Sequence, residues 1–203
     1  MRTIVITGPS GSGKSALTHK LLELFDDSIV LKTDSYYKDS FIIRFLSIFK
    51  LDIYDRLISL KKNKIIKTLS SLYNKETLVI FSHYDFKRKK STQNKIRINY
   101  TNDNQFLILE GIFSHRLDLN YNETINIVCE SKKDICFKRR LRRDQIERGR
   151  NPSEVNKKFN KSWSLFYQHI NNFLHTNNVI HINPLDKTSY NKLVYKLQIL
   201  KDS

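Results

Sequence analysis

The stretch Gly8-Pro9-Ser10-Gly11-Ser12-Gly13-Lys14-Ser15 constrains this chain more than any other. An apolar run, Ile4-Val5-Ile6, precedes it, and a helical pattern from Ala16 to Phe25 follows. Strand, glycine-rich turn and helix in that order, with the spacing G-x-x-x-x-G-K-[ST], make a phosphate-binding P-loop. The glycines let the backbone turn tightly and aim successive N–H groups at phosphate oxygens. The helix start adds unpaired donors and a partial positive charge at the same spot. In such a loop Lys14 reaches the β- and γ-phosphates, and the Ser15 hydroxyl ligates Mg2+. Residues Gly8 to Ser15 are therefore expected to bind ATP with Mg2+.

At 203 residues the chain fits one domain over 1–203, large enough to bury a core without disulfides or a structural metal. No apolar run approaches the ~20 residues that span a bilayer; Phe41 to Phe49 is short and interrupted by Arg44. The first residues lead straight into a strand with no signal-peptide pattern. Cys129 and Cys136 form no C-x-x-C pair and read as buried or semi-buried thiols in a reducing compartment. The expectation is a cytoplasmic protein with no membrane partner.

Charge is uneven. Of a net +16, residues 87–97 carry six basic and no acidic side chains, and residues 131–161 carry twelve basic and four acidic ones. Such patches fit either a nucleic acid or a site built around polyphosphate.

Alternating strands and helices follow the P-loop. Strands are expected at 3–7, 28–33, 77–81, 95–100, 105–109, 124–128 and 179–182, with 77–81 and 95–100 a hairpin around the basic turn. Helices are expected at 14–25, with Leu17, Leu21, Leu22 and Leu24 inward, and at 55–73, 132–147, 153–175 (one or two) and 187–199. The pattern predicts an α/β P-loop NTPase fold of three layers, a parallel central sheet flanked by helices. Ligands then sit at the carboxyl ends of the strands.

Three features fall at those ends. Asp34 lies in Thr33-Asp34-Ser35-Tyr36-Tyr37, Glu110 follows Leu107-Ile108-Leu109, and an arginine-dense helix runs from Arg139 to Arg150. A carboxylate ending a buried strand beside a P-loop suits Mg2+, so Glu110 with Ser15 is the candidate metal pair; the plainer role is capping the turn at Gly111. Asp34 has the position of a general base for an acceptor hydroxyl; the plainer role is a turn or N-cap residue. Arginines 139, 140, 142, 143, 148 and 150 outnumber their helix partners Asp144 and Glu147. They read either as a solvated basic face or as a lid, at about 139–160, whose guanidinium forks hold phosphates. Gly149 supplies a hinge or a C-cap.

The set GPSGSGKS, TDSYY, YDF (Tyr84 to Phe86), LILEGI (Leu107 to Ile112) and RRLRRDQIERGR (Arg139 to Arg150) resembles the uridine–cytidine kinase family over residues 3–182. That resemblance implies a small nucleoside-binding hairpin and an arginine-rich lid helix. It implies that Asp34 activates a ribose 5′-hydroxyl and that Ser15, Asp34 and Glu110 surround Mg2+. It places Lys14, Arg143 and Arg148 on the transferred phosphoryl group, and Asp34, Tyr37, Tyr84 and Arg143 on the acceptor. An acidic residue after the second strand holds ribose hydroxyls in that family, a place for Asp52 or Asp55. The chain departs where the family reads the base. Lys89 stands at the place of a histidine, Ser82 at that of a proline, and Lys158 at that of a glutamine.

The expected activity is transfer of the ATP γ-phosphoryl group to a nucleoside 5′-hydroxyl, uridine or cytidine kinase-like, in pyrimidine salvage. A kinase for another riboside such as nicotinamide riboside is the nearest alternative. A P-loop ATPase that binds nucleic acid through its basic patches is a second. ATP and a nucleoside are the expected partners, nucleic acid is not, and homo-oligomerisation is left open.

Overall fold

Ile4 and Ile6 point to one side of the first strand and Val5 to the other, and all three are fully buried, so the sheet they begin is covered on both faces. The computed structural model describes residues 1–40, 56–101, 103–117 and 119–202. In chain order these give β1 (Arg2–Thr7), α1 (Lys14–Leu24), β2 (Ile29–Lys32), α2 (Lys62–Tyr73), β3 (Leu78–Asp85) and β4 (Lys90–Arg97). Then come β5 (Phe106–Glu110), β6 (Ile125–Cys129), α3 (Lys133–Arg148), α4 (Pro152–Thr176), β7 (Val179–Ile182) and α5 (Lys187–Asp202).

Five strands form a parallel sheet in the order β2-β5-β1-β6-β7. Alternate side chains feed two cores. Ile4, Ile6, Phe106 and Ile108 pack on Leu17 and Leu21 of α1 and on Leu193 and Leu197 of α5. Val5, Leu107 and Leu109 pack on Ile65, Leu69 and Leu72 of α2 and on Phe166, Ile170 and Phe173 of α4. This is the three-layer α/β arrangement the sequence predicts. Register sets the site: Glu110 ends β5 opposite Ile6 of β1 and Lys32 of β2. The P-loop after β1, Asp34 after β2 and Glu110 therefore leave the same edge of the sheet together.

Several elements differ from the sequence reading. The helix expected from 55 begins at Lys62. Leu57–Ser59 form a 3-10 turn instead, because Lys38 N donates to Ser59 O at 2.7 Å and Lys61 N to Tyr36 O at 2.8 Å, which takes up backbone groups a helix would use. Leu24, expected inward, is exposed. The hairpin is longer than expected and pairs Leu78 with Arg97 and Asp85 with Lys90. Asp85 Oδ1 accepts from Lys87 N at 2.8 Å and Arg88 N at 2.9 Å, which tightens the turn and leaves the basic run to form β4. Every β4 side chain but the partly buried Ser91 is exposed, so no apolar alternation marks that strand. The 153–175 segment is one helix. Among the described residues, no helix is long and apolar enough to cross a membrane. Phe41 to Phe49, Asp52 and Asp55 lie outside the described residues.

Candidate active site

Gly8 adopts φ +154°, and a Cβ there would stand 2.5 Å from the carbonyl oxygen of Cys129. Only glycine lets the loop lie this close to β6. The turn delivers Lys14, which is almost fully buried, back over its own loop, where Nζ donates to Gly8 O at 2.9 Å and Pro9 O at 3.1 Å. An ammonium carries three donors, so the loop fixes the cation and leaves capacity for a phosphate oxygen.

Ser15 Oγ donates to Glu110 Oε1 at 3.2 Å. A hydroxyl and a carboxylate thus meet at the first turn of α1. Among the described residues no group of three or more His, Cys, Asp or Glu side chains builds a metal cage. A hydroxyl–carboxylate pair fits Mg2+, which retains water and takes substrate phosphates as its other ligands. The donor set and the backbone cradle beside it suit a Mg2+-nucleotide.

Asp34 sits in a 3-10 turn, Thr33–Tyr36, and its Oδ1 accepts from Ile112 N at 3.2 Å. It thereby bridges β2 to the loop after β5 and does not cap a helix. The carboxyl keeps partial access to the cleft, and protein surrounds it elsewhere. That desolvation raises its pKa to about 6, opposed by Lys14 and reinforced by Glu110. A carboxylate poised there takes a proton more readily than a solvated one.

The arginine segment crosses the P-loop. Arg139 donates to Gly11 O at 3.1 Å, and Arg143 to Ser10 Oγ at 3.3 Å. Gly149 ends α3 in a left-handed C-cap at φ +62°. This turn carries Arg150 back, so that its N–H donates to Asp144 O at 3.1 Å. Asn151 then caps α4, accepting from Glu154 N at 2.8 Å, with Pro152 in the first turn. The 139–160 segment is accordingly two helices meeting at a capped corner. Asp144 is fully buried at that corner. Arg148 lies with its guanidinium 4.0 Å from the centre of the Phe86 ring. Burial, with Arg143 close by, pushes its pKa down to about 10.

Tyr37, Tyr84 and Phe86 meet edge to face, with ring centres 5.0 to 5.6 Å apart. They line the same cleft, about 260 Å³, as Lys14, Ser15, Asp34, Glu110, Arg143, Arg148 and Lys89. The structure therefore brings together the P-loop, Asp34, Glu110, Tyr37, Tyr84, Lys89, Arg143 and Arg148. Lys89 enters from the hairpin turn at φ +54°. Phe86, Arg139, Arg150, Ile112 and Lys158 line it too; Arg139 and Arg150 belong to the expected lid arginines and Lys158 to the departures, while Phe86 and Ile112 are not among the expected site residues. Phe86 could have been found as the third residue of the YDF motif. Ile112 carries no chemical signal in the sequence.

Comparison with known proteins agrees with this fold. The model of the phosphoribulokinase/uridine kinase family matches residues 3–189. The uridine kinase of Lactobacillus johnsonii is 31% identical over 156 residues, covering 75% of this chain and 72% of the relative. That of Borrelia duttonii is 29% identical over 157 residues, covering 76% and 73%. Among solved structures, one described as a possible uridine kinase from Bacillus stearothermophilus superposes with a TM-score of 0.58 at 12% identity, covering 88% of this chain and 87% of that one. The deoxyadenosine kinase of M. mycoides with bound dATP superposes with a TM-score of 0.51 at 15% identity, covering 98% and 100%. At such identities the structural matches speak for the fold.

Proposed function

The chain belongs to the phosphoribulokinase/uridine kinase family, and on that premise we propose that it is an ATP- and Mg2+-dependent nucleoside kinase of pyrimidine salvage, making nucleoside 5′-monophosphates in the cytoplasm. The observation that carries the reading is that Lys14, the Ser15–Glu110 pair and Asp34 open into one cleft walled by Tyr37, Tyr84 and Phe86. Donor groups and an acceptor pocket thus share one reaction space.

The P-loop amides and Lys14 hold the triphosphate. Ser15 and Glu110 would hold Mg2+, which when bound offsets charge on the β- and γ-phosphate oxygens. Asp34 accepts the proton of the acceptor hydroxyl as that oxygen bonds to the γ-phosphorus. The bond from that phosphorus to the β–γ bridging oxygen breaks, and ADP departs. Arg143 and Arg148 stabilise the charge spread over the transferred group. The aromatic wall takes the base by stacking and excludes water.

Lys89 supports uridine over cytidine. An ammonium offers donors only; it suits a carbonyl acceptor such as uracil O4 and opposes the amine at cytosine N4. Lys89 is exposed, so the preference is smaller than the about 1–3 kcal/mol that a buried polar group left unpaired costs. ADP release over a panel of uridine, cytidine, nicotinamide riboside and a polynucleotide tests the reading. Uridine is expected to drive the fastest release; release driven instead by the riboside or the polynucleotide overturns it.

A further inference from the structure

Asp144 is the one carboxylate on which the arginines of this site converge, among the described residues. Its Oδ1 accepts from Arg143 Nε at 3.1 Å and Nη2 at 2.8 Å, and Arg148 Nη1 stands 3.4 Å from the same oxygen. Oδ2 accepts from Arg150 Nη1 at 2.8 Å, with Arg140 Nε 3.7 Å away. The sequence spacing makes this convergence. Arg140 and Arg148 lie one helical turn before and after Asp144, Arg143 is its neighbour, and the left-handed Gly149 returns Arg150 to it.

Each arginine then reaches a different neighbour. Arg143 touches Ser10 of the P-loop, and Arg148 stacks on Phe86 of the hairpin. Arg140 donates to Ser162 of α4 at 2.5 Å, and Arg150 Nε lies 3.9 Å from Glu154. One buried anion therefore sets the angles of guanidiniums that face the P-loop on one side and the aromatic wall on the other. Four cations this close repel one another. Buried together without a counter-charge, they would turn outward to water. Among the described residues the side-chain partners of Asp144 are arginines, so its effect passes through them.

We propose that Asp144 is a positioning residue for phosphoryl transfer: it aligns Arg143 and Arg148 on the transferred group and, being an anion itself, competes with phosphate for them. Two consequences follow that a plain structural brace would not give. Loss of its charge slows the chemical step, because a misplacement of about 1 Å in a supporting group costs on the order of 10²-fold. It also leaves ATP affinity unchanged or higher, because a resident anion has gone.

The inference rests on the kinase reading, and the test separates the two. Asp144→Asn is assayed for kcat, and its ATP Kd is titrated without acceptor. Expected are a kcat lower by about 10²-fold and an ATP Kd equal to or tighter than wild type. Wild-type kcat in the folded variant, or parallel losses in kcat and ATP affinity, overturns the proposal. Asp144→Glu keeps the charge and shifts it by one methylene, so it covers the case in which the asparagine variant does not fold. An intermediate loss of kcat with wild-type ATP Kd is expected there; wild-type kcat overturns the proposal. The Arg143 Nε–H resonance gives a readout without turnover. It is protected from exchange in wild type and loses protection in whichever variant folds; unchanged protection counts against the inference. Failure of every nucleoside in the wild-type protein refutes the kinase reading, and that result is independent of both variants.

Discussion

Gly111 offers the sharpest test of how Asp34 is placed. A Cβ built at Gly111 overlaps Thr33 Oγ1 and comes within 2.9 Å of Asp34 Oδ1 and 3.3 Å of its Cγ. Ordinary contact begins near 3.4 Å, so Gly111→Ala forces the Asp34 carboxylate back by roughly half an ångström. Thr33 has little room to yield, being held to Glu110 O at 3.3 Å and to Ser114 Oγ at 3.2 Å. Overpacking of this kind costs about 1–3 kcal/mol, or roughly 2–12 °C in Tm for a chain of this size. A shift of about 1 Å in a reacting group costs on the order of 10²-fold. The smaller displacement should lower kcat by about 10-fold or more. The P-loop is untouched, so ATP Kd, measured by calorimetry without acceptor, should stay within about threefold of wild type, less than the ~1.4 kcal/mol of a tenfold change. Wild-type kcat in a folded Gly111→Ala protein refutes the reasoning, since Asp34 would then not need its observed place.

Three further outcomes are expected. Lys14→Ala should lower kcat by about 10²- to 10³-fold, the scale for removing one preorganised donor to developing charge; near-wild-type turnover at saturating ATP contradicts the donor site. Asp34 works as a base only when ionised, and burial raises its pKa to about 6. Its kcat/KM should therefore fall as pH drops through about 6 and hold above it, and a pH profile of Asp34→Asn should lose that limb along with at least ~10² in rate. Phe86→Leu keeps apolar bulk but removes the ring beneath Arg148, a contact of about 0.5–2 kcal/mol; kcat/KM should drop by about 2- to 30-fold, with ATP Kd unchanged by titration.

The donor half was legible in the sequence because it is local. Eight consecutive residues dictate the P-loop, and Leu107-Ile108-Leu109 announces a buried strand whose next residue, Glu110, reaches Ser15. Asp34 was legible as a residue at a strand end, though its bond to Ile112 N spans 78 positions and no local pattern encodes it. The arginine segment was readable as charge and not as geometry. Counting cations hid Asp144, whose importance comes from burial and from Gly149 folding Arg150 back onto it. Strand β4 was expected at 95–100 and begins at Lys90 for the opposite reason: its basic, solvated side chains lack an apolar alternation, and pairing with β3 alone sets its extent. The helix start at Lys62 was misjudged because tertiary hydrogen bonds to residues 36 and 38 captured the backbone just before it.

The central claim is that one cleft transfers phosphate from ATP to a nucleoside hydroxyl with Asp34 taking the proton. The most direct measurement is the fate of label from γ-32P-ATP when wild-type protein and Asp34→Asn turn over with uridine and Mg2+. The account predicts label in uridine 5′-monophosphate with wild type and at least ~10² less of it with Asp34→Asn, at unchanged ATP affinity. Label appearing only as inorganic phosphate, or equal labelling of uridine by both proteins, would contradict it.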